Sequence, residues 1–354
     1  MKFSRRSFAG TLVATAIGTF VLKGCQTNSE QIAIGEGNTI SEGNITEGIT
    51  ADDEEALYEA AKKEGKLVWY AVYFNQEIVD EIGKAFTQKY PGISFEGTRN
   101  TASNLFQKLN QEAQAGLNIA DIYATTDFSQ ILQLKEEQKL LQYEPTGKEN
   151  IVDKYRNLDR DNYYQVGAFL PIVIGYNSEL ISLEEAPTSW EELTNAKYQD
   201  KIATGSGAAS GQVGTWALSM EQKYGWDYLV NFNQLNPKLS RSINDVVPAL
   251  VAKERALGAT TVGQILTRKS LGDPLDVIYP EDGAIVVVAP IAILKDAPHP
   301  HAAKLFLNFI NSREYSKVIT KYFEQPIHQE VELMGAKSLG EVNTYTPKPC
   351  LLYT

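Results

Sequence analysis

Seven small residues, Gly205 to Gly211 (GSGAASG), separate a short apolar run from the amphipathic stretch QVGTWALSMEQKYG. Side chains this small let backbone N–H groups approach an anion. The helix expected to begin near Ser210 aims its positive end at the same loop. On that reading Ser206, Gly207 and Ala208 form an anion cradle. Two plainer readings compete. The loop could be a tight turn without a ligand, or part of a dinucleotide fingerprint. The fingerprint fits poorly, because Ser210 stands where the third glycine of G-x-G-x-x-G falls.

Other groups with useful chemistry stand at the ends of apolar runs. They are Tyr73-Phe74-Asn75, Arg99-Asn100-Thr101-Ala102-Ser103, Thr125-Thr126-Asp127, Ser242 with Asn244, and Thr260-Thr261. Asn, Ser, Thr and Asp at such places either meet a ligand or cap the next helix. Arg99 and Arg241 are bidentate anion donors or solvated surface charges. A cation would need other partners: rings such as Tyr73, Phe74, Trp216 or Tyr279, with Asp127, Glu281 or Asp282. The alternative is that the rings are core and the acidic YPEDG a turn. His299 and His301 in HPH read as a loop entering a helix rather than a metal pair, since no third ligand is evident. G-x-S-x-G, H-E-x-x-H and P-loop motifs are missing, and no cysteine nucleophile is paired with a histidine. The expectation is a protein without catalytic residues, cofactor or metal site.

The elements that must hold these groups alternate. DDEEALYEAAKKEG is an amphipathic helix with acids first and lysines last. KLVWYAVY, ISFEGTR and IADIYATT read as strands, each followed by a helical pattern. Three consecutive βα units imply a parallel, doubly wound sheet, whose ligands bind beyond the carboxyl ends of its strands. GAFLPIVIGYN is a long apolar strand leaving one lobe for another. PTSWEELTN reads as a helix with Ser189 and Glu192 at capping-box spacing. PLDVIYPEDGAIVVVAPIAIL is a strand pair, and HAAKLFLNFINSREYSKVITKYF is two helices returning to the first lobe. TYTPKPCLLYT reads as irregular.

The chain has 354 residues, 43% of them hydrophobic, and a formal charge of −11. Its first 24 residues hold Lys2, Arg5, Arg6 and Lys23 and no acid, so the remainder is more acidic still. Such a body is a poor partner for nucleic acid or an anionic membrane. The N-terminal MKFSRRSFAGTLVATAIGTFVLKGC has the form of an export signal. Arg5-Arg6 resembles a twin-arginine address, and LKGC ending at Cys25 resembles a lipoprotein site, from which Lys23 departs. Polar, glycine-rich sequence then reads as a tether.

KLVWYAVY, PTSWEEL, KIATGSGAASGQVGTWALSMEQKYGW and VIYPEDGAIVVVAPIAILKDAPHPHAAKLFLNFINSRE together resemble the solute-binding proteins of bacterial ABC importers. The nearest branch is the ferric-iron-binding type, and the resemblance covers about residues 54–313. It implies a type II periplasmic-binding-protein fold: two α/β lobes, each with a mainly parallel sheet, and a ligand cleft between them. The expected organisation is an export signal at 1–25, a tether at 26–51, lobe 1 at 52–168, lobe 2 at 169–272 and a return segment at 273–354. The implied partners are a small ligand and a membrane permease, the implied place the periplasm, and the implied state a monomer. Relatives hold an oxyanion on the turn matching Ser206-Gly207-Ala208. The tyrosine pair of the iron binders is replaced by Val262-Gly263, which favours an anionic, phosphate- or phosphonate-bearing ligand. Ferric iron with a synergistic anion, thiamine or a polyamine stay open, as does a sensor role with a membrane kinase. The residues expected at the ligand are Tyr73, Asn75, Asn100, Thr101, Thr126, Asp127, Ser206, Gly207, Ala208, Ser242, Asn244, Thr261 and Tyr279.

Overall fold

A computed structural model describes residues 51–347, all within the unit Ile49–Thr354. The expected export signal, nearly all of the tether, and Cys25 and Cys350 lie outside the described residues. The chain begins with α1 (Ala51–Glu64), β1 (Lys66–Ala71), α2 (Gln76–Lys89), β2 (Ser94–Arg99), α3 (Ala102–Gln114), β3 (Ile122–Ala124) and α4 (Phe128–Glu136). Strand β1 pairs in parallel with β2, Lys66 opposite Ser94, and with β3, Trp69 opposite Ile122. Its side chains alternate between faces, as the period of two requires. Leu67, Trp69 and Ala71 join one core, and Val68 and Tyr70 pack with Leu105, Ile131 and Leu134 on the other. Helices cover both faces, which is why β1 reads as a continuous apolar run.

After the short α5 (Asp153–Arg156) comes β4 (Gln165–Asn177), buried along its whole length. Then follow β5 (Ile202–Gly205), α6 (Gly211–Tyr224), α7 (Trp226–Gln234), β6 (Lys238–Ser240), α8 (Val246–Val251), β7 (Leu257–Thr261), α9 (Val262–Ser270) and β8 (Leu275–Ile278). The last elements are β9 (Ala284–Ile293), α10 (Pro300–Ile310), α11 (Arg313–Thr320) and β10 (Thr344–Tyr345). The strands form one continuous sheet in the order β2-β1-β3-β9-β4-β7-β5-β6, with β8 on β4 and β10 on β9. β4 is the seam. Its first half pairs antiparallel with β9 and its second half with β7 and β8. Ile172 faces both Ile285 and Thr261, marking where the chain crosses from one strand set to the other. Each large apolar side chain buried here contributes about 1.5–3 kcal/mol.

α10 packs on α1 and β1, and α11 on α2, so the chain returns to its first strand set. The HPH segment is tied down rather than solvated. Asp121, fully buried, accepts from the His299 backbone N–H at 2.7 Å and lies 3.0 Å from its Nδ1. Glu64 accepts from the backbone of His301 and Ala302, supplying the α10 N-terminus with a carboxylate from another helix. PTSWEELTN does not form the expected helix but holds one 3-10 turn, Glu192–Thr194, and a second, Ala196–Tyr198, follows it. Asp282 accepts from the Trp190 backbone N–H at 2.9 Å, and the Trp190 ring donates to Gly283 at 2.9 Å. These ties from YPEDG hold the segment in place of a helical ladder. The box is only half made: Ser189 accepts from the Glu192 N–H, but the Glu192 carboxylate reaches Thr188. Thr344–Tyr345, expected to be irregular, adds to β9 as β10.

Candidate functional site

The carboxyl ends of the first strand set meet those of the second. Ser103 donates to the Ala208 carbonyl at 2.9 Å, and Asn244 Nδ2 donates to the Phe74 carbonyl at 3.4 Å. A Cβ on Gly211 would stand 2.4 Å from the Thr126 carbonyl oxygen, so the start of α6 rests directly on the 126–127 loop. These three contacts define a cleft between two polar rims.

On the first rim most of the expected residues cap helices. Asn75 accepts from the Ile78 N–H at 2.9 Å at the start of α2, and Thr101 from that of Asn104 at 3.4 Å at the start of α3. Asp127 accepts from Ser129 at 3.1 Å at the start of α4. Asn100 is held locally too, by the Thr101 N–H and the Asn104 amide. Thr126 is different: it is buried and its hydroxyl has no partner. Tyr73 does not face the cleft as expected. It follows the alternation of β1 into the core, 0% exposed, with Trp69 and Phe74 rings against it. Burial pushes its phenol far up, and its hydroxyl has no hydrogen-bond partner.

Phe74 has φ of 68°, the left-handed region that non-glycine residues enter only when held there. The turn directs its carbonyl to two donors, Asn244 and Arg99 Nε at 3.2 Å. Arg99 forms no ion pair among the described residues. The nearby Asp245 instead binds Arg241 at 3.6 Å and the Ser242 backbone and hydroxyl. Burial pushes the Arg99 guanidinium down, the mark of a cation short of a counter-charge.

On the second rim the geometry is the reverse. Ser206 O accepts from the Ala209 and Ser210 N–H groups, closing the small-residue loop. Ser210 occupies the N-cap of α6, yet its side chain makes no capping bond. Thr261 does the same at α9, 1% exposed with a hydroxyl that has no partner. Gly205 fits because a Cβ there would lie 2.7 Å from the Ser242 carbonyl carbon, so the 206 and 242 loops touch. Gly207 has ordinary space, with Gly214 the nearest group at 3.9 Å. Asn244 accepts from the Gln264 side chain, tying α9 to the loop that reaches Phe74.

Tyr279 is not in this group. Its hydroxyl accepts from the Lys337 N–H at 3.2 Å, and the C-terminal segment covers it. Trp216 is core, and Asp282 is occupied by Trp190 and the Tyr224 hydroxyl, so the cation reading loses those partners. No group of three or more His, Cys, Asp or Glu among the described residues is arranged to hold a metal. A cavity of about 90 Å³ lined by Leu109, Leu117 and Ile119 lies outside the cleft. No helix among the described residues is long and apolar enough to cross a membrane. Gln264 in the first turn of α9, and Glu324, whose carboxyl lies against Gly263, had no signal in the sequence. Each is brought there by the fold.

Residues 118–344 match the family model described as bacterial extracellular solute-binding protein. A curated relative, an uncharacterized protein of Haemophilus influenzae, is 24% identical over 278 residues, 75% of this chain and 78% of its own. The fold is similar to the periplasmic binding protein AfuA from Actinobacillus pleuropneumoniae with exogenous fructose-6-phosphate bound. The TM-score is 0.71 and the identity 22%, covering 79% of this chain and 91% of that one. It is also similar to iron-bound HitA from Pseudomonas aeruginosa, with a TM-score of 0.70, 18% identity, and coverage of 81% and 95%.

Proposed function

This chain belongs to the bacterial extracellular solute-binding proteins, of the periplasmic, ABC-importer type, and we propose that it binds a small phosphate- or phosphonate-bearing anion between its two lobes and hands it, chemically unchanged, to a membrane permease. On this reading the lobes are 52–168 and 169–272, the crossing strands serve as the hinge, and the return segment 273–354 belongs with lobe 1. The observation that carries the reading is the pairing of two features across one cleft. One is a half-buried Arg99 that forms no ion pair among the described residues; the other is an α6 N-terminus left without a side-chain cap above Ser206-Gly207-Ala208. Both favour negative charge, and backbone N–H groups with a guanidinium suit the several oxygens of a phosphate. The fructose-6-phosphate bound by AfuA is consistent with this chemistry. HitA is iron-bound, but here Val262 and Gly263 offer no phenolate at the position the iron reading needs.

The export signal, a lipid at Cys25, passage by the twin-arginine route, and the monomeric state belong to the same proposal. Thermal melts with methyl phosphate, fructose 6-phosphate and ferric citrate test the ligand class. A ligand at 100 times its Kd adds about 2.7 kcal/mol, so phosphate esters are expected to raise the Tm clearly, and Arg99→Gln to reduce that rise. A rise with ferric citrate alone would overturn the anion reading.

A further inference from the structure

Glu324 reaches the cleft from a segment outside both rims. Its neighbour Gln325 bridges to Phe169 on β4, Tyr322 donates toward Glu77 on α2, and the Tyr322 carbonyl accepts from Thr267 on α9 at 3.3 Å, so this stretch is anchored on β4, α2 and α9. The Glu324 side chain lies against the start of α9. A Cβ on Gly263, the second residue of α9, would stand 2.3 Å from Glu324 Oε1. Gly263 has no Cβ, and the carboxyl fills that place. Glu324 is 3% exposed, and its Oε2 has no hydrogen-bond partner among the described residues. Among the described residues no cation pairs with it, and burial pushes it up to about 8, so at neutral pH it keeps its proton. The Thr261 hydroxyl, two residues before Gly263, is buried and also without a partner. Tyr73, unpartnered, and Tyr315, which donates to the Gly167 carbonyl at 2.8 Å, are the phenols nearby.

Among the described residues the cleft therefore holds a cation that forms no ion pair, Arg99, and an acid that forms none, Glu324. The Phe74 carbonyl, Asn244 and Gln264 run between them. Buried polar groups are normally hydrogen-bonded, and these two are kept apart by neutral amides instead of paired. A protonated carboxyl both donates and accepts, as a hydroxyl group does. An ammonium would only donate, and would require the carboxyl to ionise in an apolar setting.

Resting on the anion reading above, we infer that Glu324, with Thr261, is the specificity-determining contact for the far end of the ligand and selects a phosphate or phosphonate that carries hydroxyl groups.

The test is titration calorimetry of the protein with methyl phosphate and three hydroxylated esters: glycerol 3-phosphate, ribose 5-phosphate and fructose 6-phosphate. At least one ester is expected to bind tenfold or more tightly than methyl phosphate. Glu324→Leu, which replaces an unpartnered acid by an apolar group of similar size, is expected to collapse that ratio toward one, and Glu324→Gln to keep part of it. Melting curves of both variants confirm the fold, and the amide variant carries the test if the leucine does not fold. A ratio preserved in the folded variants, or no ester surpassing methyl phosphate, overturns the inference alone. No binding of any phosphate by the unmodified protein overturns the anion reading and the inference together.

Discussion

The two rims of the cleft are built from the same parts, a strand end followed by a helix, yet they spend their polar residues differently. On the first rim Asn75, Thr101 and Asp127 each satisfy the N–H groups of the helix they precede. On the second, Ser210 and Thr261 hold the corresponding positions and make no capping bond. A cap donated by the chain neutralises the positive end of a helix; an absent one leaves N–H groups for something else. The first rim is thus finished as a scaffold, and the second is left open at α6 and α9, while Ser242 and Asp245 close its third loop in a capping box. What completes the second rim comes from across the cleft: the Thr126 loop, Arg99 through Phe74 and Asn244, and Glu324.

The largest effect that would break this comparison is steric. Gly211→Leu places a side chain where the Thr126 carbonyl lies 2.4 Å from the Cβ. The rims cannot then meet. Small-angle scattering is expected to show a more open particle, and phosphate binding to fall at least a hundredfold. Gly207→Leu sharpens the contrast, because its Cβ has room. It is expected to keep the compact shape and Tm while weakening phosphate binding tenfold or more by covering the loop. Equal affinity in that variant would remove the cradle.

Next in size is the acid that lies against the start of α9. Glu324 is raised from an ordinary 4.5 to about 8. The folded chain therefore keeps a proton that the unfolded chain releases, and its stability falls as pH rises from about 4.5 to 8. Glu324→Gln removes this slope. The variant is expected to be the more stable by on the order of a few kcal/mol at pH 8 and above, with the gain fading toward pH 4.5. Denaturant midpoints at pH 5 and 8.5 measure it, and a gain that does not depend on pH would place the carboxylate in contact with charge.

The smallest effects distinguish the rims directly. Thr101→Ala and Asp127→Ala are expected to cost about 1 kcal/mol each, whereas Ser210→Ala, which loses no cap, is expected to cost less than about 0.5 kcal/mol. Urea unfolding resolves the difference; equal costs would mean the two rims are alike after all.

The periodicity of the sequence is sufficient for the βα units, the long crossing strand and the returning helices, because burial on one face or both is written in the order of apolar residues. It also reaches the loop at Gly205–Gly211 and the strand ends, because small and polar residues at those points have few other uses. It could not say which polar residues were free. Asn75 and Ser210 look alike in a sequence, and only the hydrogen bonds each makes tell a cap from an open position. Tyr73 and Tyr279 have the right type, but β1's alternation turns one into the core, and the C-terminal segment covers the other. Glu324 lies more than sixty residues after Thr261 in an aperiodic stretch. It becomes part of the cleft only because Gln325 pairs with Phe169 and Gly263 leaves space for a carboxyl. The order of hydrophobic and polar residues fixes what each segment buries locally. Which unpaired charges come to share one cleft is decided by long-range packing, which no local pattern encodes.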